Sequence, residues 1–109
     1  MKDLKSKQRT VRQQSLCEAL ATLTSPSQFA DFLQDLCTPA ELEALADRWE
    51  VVDPILDQVP YRKIHDQTGV SVTTIGRVAR VIEHGHGSYR RAHEKLSTSF
   101  DTNTKPAKL

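Results

Sequence analysis

Apolar side chains recur at intervals of three and four residues along most of the chain, and this helical spacing constrains the fold more than any other feature. Two of these stripes are Leu16, Ala19, Leu20, Leu23 and Phe29, Phe32, Leu33, Leu36. Residues at this spacing share one face of an α-helix, whereas a half-buried strand would require strict alternation. No segment alternates convincingly, so the sequence predicts an all-α protein.

Two helix starts are marked by the same type of capping sequence, Ser25-Pro26-Ser27-Gln28 and Thr38-Pro39-Ala40-Glu41. Each combines a hydroxyl N-cap, a proline at the first helical position and a side chain able to reach back to the cap. The apolar face behind the second cap comprises Leu42, Leu45, Ala46, Trp49 and Val52. Proline removes a hydrogen bond inside a helix, so we expect a kink or an early end near Pro54.

The size and composition favour a small domain that associates with a partner chain. The 109 residues are 38% hydrophobic, which makes a thin core for an isolated monomer. No apolar run approaches the length of a membrane span, and residues 1–5 do not lead into a signal-peptide core, so a cytoplasmic protein is expected. Cys17 and Cys37 are expected to be free thiols.

The formal net charge of +1 conceals three segments of different sign. Residues 1–15 carry five basic residues against one acidic, and residues 61–96 carry seven against three, so each has a net charge of +4. Residues 31–57 carry eight acidic residues against Arg48 alone, a net charge of −7. A phosphate backbone responds to local positive charge, so the near-neutral total does not exclude nucleic acid as a ligand.

The segment from Tyr61 to Arg80 has the pattern of a helix-turn-helix. Gly69 permits a left-handed conformation where the first helix ends, and Ser71 can cap the second helix. The apolar positions that would pack the two helices together are Ile64, Val70, Ile75 and Val78, and the inward stripe of the second helix is Val72, Ile75, Val78, Ala79 and Ile82. An ordinary α-helical hairpin explains these apolar positions but not the small, polar and basic outward face.

The sequence therefore predicts contacts with double-stranded DNA. Thr73, Thr74 and Gly76 are assigned to bases, and Val72 is also assigned to the interface. The predicted phosphate contacts, or base contacts where reach allows, are Arg62, His65, Arg77 and Arg80, and Tyr61 is expected to anchor the first helix near the backbone. Many such motifs have a small residue at the position of His65, so the histidine indicates either a tilted first helix or a phosphate contact.

Two blocks, residues 37–48 and the segment ending Thr73-Thr74-Ile75-Gly76-Arg77, resemble the Trp repressor superfamily, and the resemblance covers residues 36–82. It implies an all-helical, interleaved homodimer with a C-terminal helix-turn-helix, which would read palindromic operators. It also implies an amino-acid corepressor site in which Arg48 and Arg77 sandwich an indole ring and Thr38 lies near the ligand backbone. The sequence departs from tryptophan-responsive repressors at Val81, where they have serine, and at Val78, where they have glycine. L-tryptophan or another small aromatic ligand is therefore possible, but no cofactor is required.

Other functional classes receive less support. A metal site would need His84, His86 and His93 together with His65 or Glu94, and His-Gly-His without a third ligand at fixed spacing is a weak metal motif. No nucleophile has a base or converging site nearby in sequence, so an enzyme is not expected. The competing hypothesis is a non-catalytic protein-interaction module that uses the acidic middle helices and the stripe containing Trp49.

The predicted organisation has three parts. Residues 1–15 form a basic N-terminal arm, residues 16–96 a helical domain with the helix-turn-helix at 61–80, and residues 97–109 a disordered tail. The corresponding functional hypothesis is a sequence-specific DNA-binding transcriptional regulator, acting as a repressor.

Overall fold

The computed structural model describes the backbone of residues 9–103 and the side chains of residues 9–98. The regular elements in this range are seven helices: α1 (Val11–Leu20), α2 (Pro26–Leu36), α3 (Pro39–Glu50), α4 (Val52–Leu56), α5 (Tyr61–Thr68), α6 (Val72–His84) and α7 (Ser88–Asn103). The prediction of an all-α fold is confirmed. None of these helices is long and apolar enough to cross a membrane.

The helix starts follow the capping signals, with one difference. Thr38 and Glu41 form the predicted reciprocal box, in which the Glu41 N–H donates to the Thr38 hydroxyl at 3.1 Å and the Thr38 N–H donates to Glu41 Oε1 at 2.9 Å. The predicted box at Ser25 is only half formed: Ser25 Oγ accepts from the Gln28 N–H. Gln28 Oε1 instead accepts from both the N–H and the hydroxyl of Thr24, the residue before the cap.

The break expected near Pro54 is present. Helix α3 ends at Glu50, Val51 serves as the N-cap of α4, and Pro54 stands at the third position of that helix. Proline is tolerated there because the first N–H groups of a helix have no intrahelical acceptor. The two apolar residues at the break, Val51 and Val52, are fully buried.

Contacts divide the chain into two compact units whose boundary lies between Leu42 and Glu43, within α3. In the part of the N-terminal unit that the structure describes, α1 and α2 contain no buried residue. Phe29 is 39% exposed and Leu36 is 52% exposed, although both belong to the predicted apolar stripe of α2. The stripe forms a helix face as expected, but this chain does not bury it.

The C-terminal unit contains the buried core, which consists of Val51, Val52, Ile64, Val70, Ile75, Val78 and Ile82. Ile55, Leu56, Val59 and Tyr89 pack against this core from α4, the following turn and α7. The predicted inward stripe of α6 is buried at Ile75, Val78 and Ile82 and half-buried at Ala79, but it is wrong at Val72, which is 49% exposed. Helical side chains lean towards the N-terminus and pack against the preceding turn. Val72 is exposed because it is the first residue of α6, where there is no preceding turn.

The two predicted terminal segments are partly helical. Helix α1 begins at Val11 with Thr10 as its cap, so residues 11–15 of the predicted arm are helical, and residues 1–8 lie outside the described part. The predicted tail is wrong over residues 97–103, which continue α7. Extending an existing helix adds one hydrogen bond per residue fixed, and no glycine or proline interrupts this stretch. Residues 104–109 lie outside the description.

Candidate nucleic-acid interface

The turn between α5 and α6 is held by a compact set of hydrogen bonds. Gly69 adopts the left-handed conformation predicted for it, with φ of 81°, and its N–H donates to the carbonyl of His65 at 2.8 Å. The Thr68 hydroxyl donates to the Ile64 carbonyl at 2.7 Å and accepts from the Val70 N–H at 3.1 Å. Val70 is buried and fills the angle between the two helices. The orientation of α6 is therefore fixed by backbone geometry as well as by packing.

His65 has a structural role that the sequence did not predict. Its Nδ1 lies 2.8 Å from the carbonyl oxygen of Val70, so the ring donates a hydrogen bond across the turn. This arrangement leaves Nε2 as the ring atom that could meet an outside group. No tilt of α5 needs to be invoked for His65, because its bulk is accommodated beside the turn. The predicted phosphate contact is compatible with this geometry only through Nε2, which donates to a phosphate oxygen when both ring nitrogens carry a proton.

Ser71 caps α6 as predicted. Its hydroxyl accepts from the Thr74 N–H and donates to the Thr74 hydroxyl oxygen, both at 3.1 Å. These bonds to Ser71 hold Thr74 in place. Thr74 is half-buried, whereas Thr73 is exposed. The hydroxyl hydrogen of Thr74 is not used by the cap and stays available to an acceptor on a ligand.

The outward face of α6 continues from Thr73 through Gly76 and Arg77 to Arg80, at intervals of three and four residues. A Cβ placed on Gly76 would lie 4.0 Å from Arg80 Nη1 and 4.0 Å from Tyr61 Cε2. The fold therefore brings Tyr61, at the start of α5, next to Gly76 and Arg80 on α6. These three predicted interface residues form one continuous surface from two helices.

The arginines of this surface have no acidic partner among the described side chains. Arg62, Arg77 and Arg80 are exposed, and none forms an ion pair within residues 9–98. The two pairs that do form in that range both involve histidines: His84 with Glu83 at 3.7 Å and His93 with Asp53 at 2.9 Å. Guanidinium groups without an internal carboxylate are free to bind phosphate oxygens.

The three residues of the predicted corepressor site belong to two helices, α3 with its N-cap and α6. Thr38 caps α3 in the N-terminal unit, while Arg48 and Arg77 belong to the C-terminal unit, half-buried and exposed respectively. Val78, at the position where tryptophan-responsive repressors have glycine, is only 1% exposed and forms part of the core. Val81 is 41% exposed, and its side chain carries no hydrogen-bonding group.

Three of the four histidines considered as metal ligands contact other groups in the part of the chain that the structure describes. His93 bonds Asp53, His65 bonds the Val70 carbonyl, and His84 lies near Glu83. Within the described residues, no three histidine, cysteine, aspartate or glutamate side chains lie close enough to hold a metal ion.

Comparison with known proteins identifies the family. Residues 12–97 match the model of the Trp repressor protein family. The chain is 33% identical over 81 residues to the uncharacterized protein YerC of Bacillus subtilis strain 168, an alignment that covers 74% of this chain and 78% of that protein. The crystal structure of a TrpR like protein from Eubacterium eligens ATCC 27750 superposes with a TM-score of 0.77 at 33% identity, and covers 84% of this chain and 95% of that one. The chain belongs to the Trp repressor family, which has a regulatory fold, and this membership indicates a DNA-binding regulator.

Proposed function

We propose that the protein is a homodimeric, sequence-specific transcriptional regulator that represses by binding palindromic operators in the cytoplasm. The observation that carries this proposal is the outward face of α6, which is small and polar in its first turns and ends in arginines that form no ion pair with side chains of residues 9–98. The hydrogen-bonded turn before it fixes its direction. A rigid helix of this composition is suited to the major groove of DNA.

The proposed base contacts come from the first turns of α6. Thr73 and Thr74 have hydroxyl groups that can donate to or accept from base edges, and Gly76 allows close approach. The exposed Val72 offers methyl groups to the C5-methyl of thymine. Because Thr74 is held by Ser71, we expect its contact to be the more sensitive to the identity of the base.

The proposed phosphate contacts surround these base-reading positions. Arg62 and Tyr61 lie in the first turn of α5, and Arg77 and Arg80 lie further along α6. His65 would add a contact through Nε2 while Nδ1 remains bonded to Val70. These contacts set affinity and register and make binding depend on salt.

A second copy of the chain is proposed as the partner of the N-terminal helices. The exposed apolar residues of α1–α3 are Val11, Leu16, Phe29, Leu36, Leu45 and Trp49. An exposed apolar surface of this kind usually marks an interface. Pairing two copies through these helices would present two α6 helices to half-sites about one DNA turn apart, roughly 34–36 Å.

Tryptophan is not proposed as a requirement for DNA binding. Val78 occupies the core, which adds bulk where the family's corepressor would lie, and Val81 cannot donate a hydrogen bond to a ligand. A ligand deprived of one buried hydrogen-bond partner loses about 1–3 kcal/mol of binding free energy. Adding L-tryptophan should therefore leave the dissociation constant for DNA unchanged.

The test is a genome-wide pull-down of bound DNA with and without tryptophan, followed by titration of the recovered operator at several salt concentrations. A palindrome with half-sites one turn apart and a steep salt dependence would support the proposal. Arg62→Ala should weaken binding to all sequences and reduce the salt slope by about one unit per protomer. A monomer with flat salt dependence and no preferred sequence would overturn the proposal and favour the protein-interaction module instead.

A further inference from the structure

A cleft in the C-terminal unit adjoins the proposed DNA interface and reaches a helix outside the α5–α6 pair. Its volume is about 530 Å³, and residues of α4, α5, α6 and α7 line it. Tyr61 and Arg80, which the proposed function places beside DNA, form part of its wall. Arg90, in the first turns of α7, lines the same cleft.

The floor and the rim of this cleft differ in chemistry. Ile55, Leu56, Val59 and Ala79 supply apolar surface, against which long arginine stems can pack. Charged groups on the rim are Arg80, Arg90 and Glu83. Glu83 lies 3.7 Å from His84 Nε2, and neither arginine forms an ion pair with a described side chain. Two guanidinium groups without carboxylate partners thus share a single cleft.

We propose that Arg90 is a further DNA-binding residue, which together with Arg80 binds a backbone phosphate of double-stranded DNA over this cleft. The inference rests on the proposed function, because it assumes that α6 lies in the major groove. Arg80 lies near both Gly76 and Tyr61, so the cleft opens beside the surface that would face the duplex. The DNA interface therefore continues from the α5–α6 pair onto α7.

Arg91 provides a matched control for Arg90. It is the next residue of α7, has the same charge and is also exposed, but it does not line the cleft. Its Nη1 lies 3.1 Å from the position that a Cβ on Gly87 would occupy, so its side chain folds back towards the start of α7. Two variants that remove the same charge one residue apart thus separate a positioned contact from a general effect of net charge.

The experiment measures operator affinity between about 50 and 200 mM salt, a range over which phosphate contacts strongly affect binding, for Arg90→Ala, Arg91→Ala and Arg90→Lys. We expect Arg90→Ala to weaken binding to every duplex and to lower the salt slope by about one unit per protomer. Arg91→Ala should retain the slope of the unmodified protein, and Arg90→Lys should recover most of it. Glu83→Gln, which removes a carboxylate from the rim, should strengthen binding.

The outcomes that overturn the inference can be distinguished from failure of the proposed function. If Arg90→Ala and Arg91→Ala bind alike while Arg62→Ala still lowers the slope, DNA binding stands and the role of Arg90 is wrong. If the unmodified protein binds no duplex above background, the proposed function fails first. The other source of a phosphate ligand is free phosphate, and calorimetric titration of the DNA-free protein with inorganic phosphate tests for it. If phosphate binding is lost only in Arg90→Ala while both alanine variants have equal DNA affinities, the cleft would be assigned to free phosphate instead.

Discussion

The N-terminal and C-terminal units are built from equally well-marked helices but differ in what they bury. In the N-terminal unit, Thr10, Ser25 and Thr38 all cap helices through their side chains, yet α1 and α2 hold no buried residue. In the C-terminal unit, seven residues form a buried core. Local capping therefore specifies where helices begin, whereas burial depends on the partner that each apolar face finds.

Phe29→Asp is expected to have the largest effect of the variants that test this difference between the two units. If a second copy covers Phe29, the variant places an unpaired charge in that interface, at a cost of about 3–5 kcal/mol of association free energy. Analytical ultracentrifugation should show monomers, while circular dichroism retains the helices of the C-terminal unit. Gln34→Asp adds the same charge at an exposed polar position of α2 and should leave association intact. Equal association of both variants would show that Phe29 does not lie in a dimer interface.

The complementary test in the C-terminal unit is Ile75→Ala. Ile75 is fully buried, so truncation should reduce the free energy of unfolding by about 2–5 kcal/mol. Val81→Ala, on the same helix but at an exposed position, should change it by less than about 0.5 kcal/mol. Urea unfolding followed by circular dichroism measures both values. Similar losses in the two variants would contradict the burial of Ile75 in the core.

Features that depend on neighbours in sequence could be predicted from sequence. The left-handed Gly69, the Ser71 cap and the box between Thr38 and Glu41 each involve residues no more than four apart, and all three are present. The break at Pro54 belongs to the same class, because it follows from the missing N–H of one residue.

Features that depend on competition or on tertiary packing could not be predicted in this way. The side-chain oxygen of Gln28 could accept a hydrogen bond from either Thr24 or Ser25, and the sequence pattern alone did not favour Thr24. The bond from His65 to the Val70 carbonyl requires the geometry of the turn. Arg90 is 29 residues from Tyr61 in sequence, and only the packing of α7 beside α4 and α6 brings both to one cleft.

A smaller effect, confined to the proposed interface, is expected from Thr74→Ala. Its N–H would still donate to Ser71, so the cap of α6 and the stability of the fold should persist. The lost hydroxyl should change preference at one base position by about 1–3 kcal/mol. Selection from a randomised duplex library measures that preference, with Thr74→Ser as the control that keeps the hydroxyl. An unchanged preference at every position would place Thr74 away from the bases.

The sharpest separation of fold from function is expected from Gly76→Ala. A Cβ at this position meets nothing closer than 4.0 Å, so the substitution introduces no clash within the chain. Alanine in a helix interior is favoured over glycine by about 0.5–1 kcal/mol, so the free energy of unfolding should rise. DNA affinity should nevertheless fall, because the methyl group would stand between α6 and the duplex.

Gly69→Ala is the control with the opposite sign for stability. Gly69 has a φ of 81°, a conformation that alanine adopts only with strain, so this variant should lose stability although its Cβ would meet no atom within 4 Å. Chemical denaturation gives the free energy of unfolding of each variant, and operator titration gives the DNA affinity of each. A Gly76→Ala protein that gains stability and binds DNA as well as the unmodified chain would show that this face of α6 does not approach the duplex. The assignment of the buried side of α6 to stability and of its outward side to DNA contact would then be wrong.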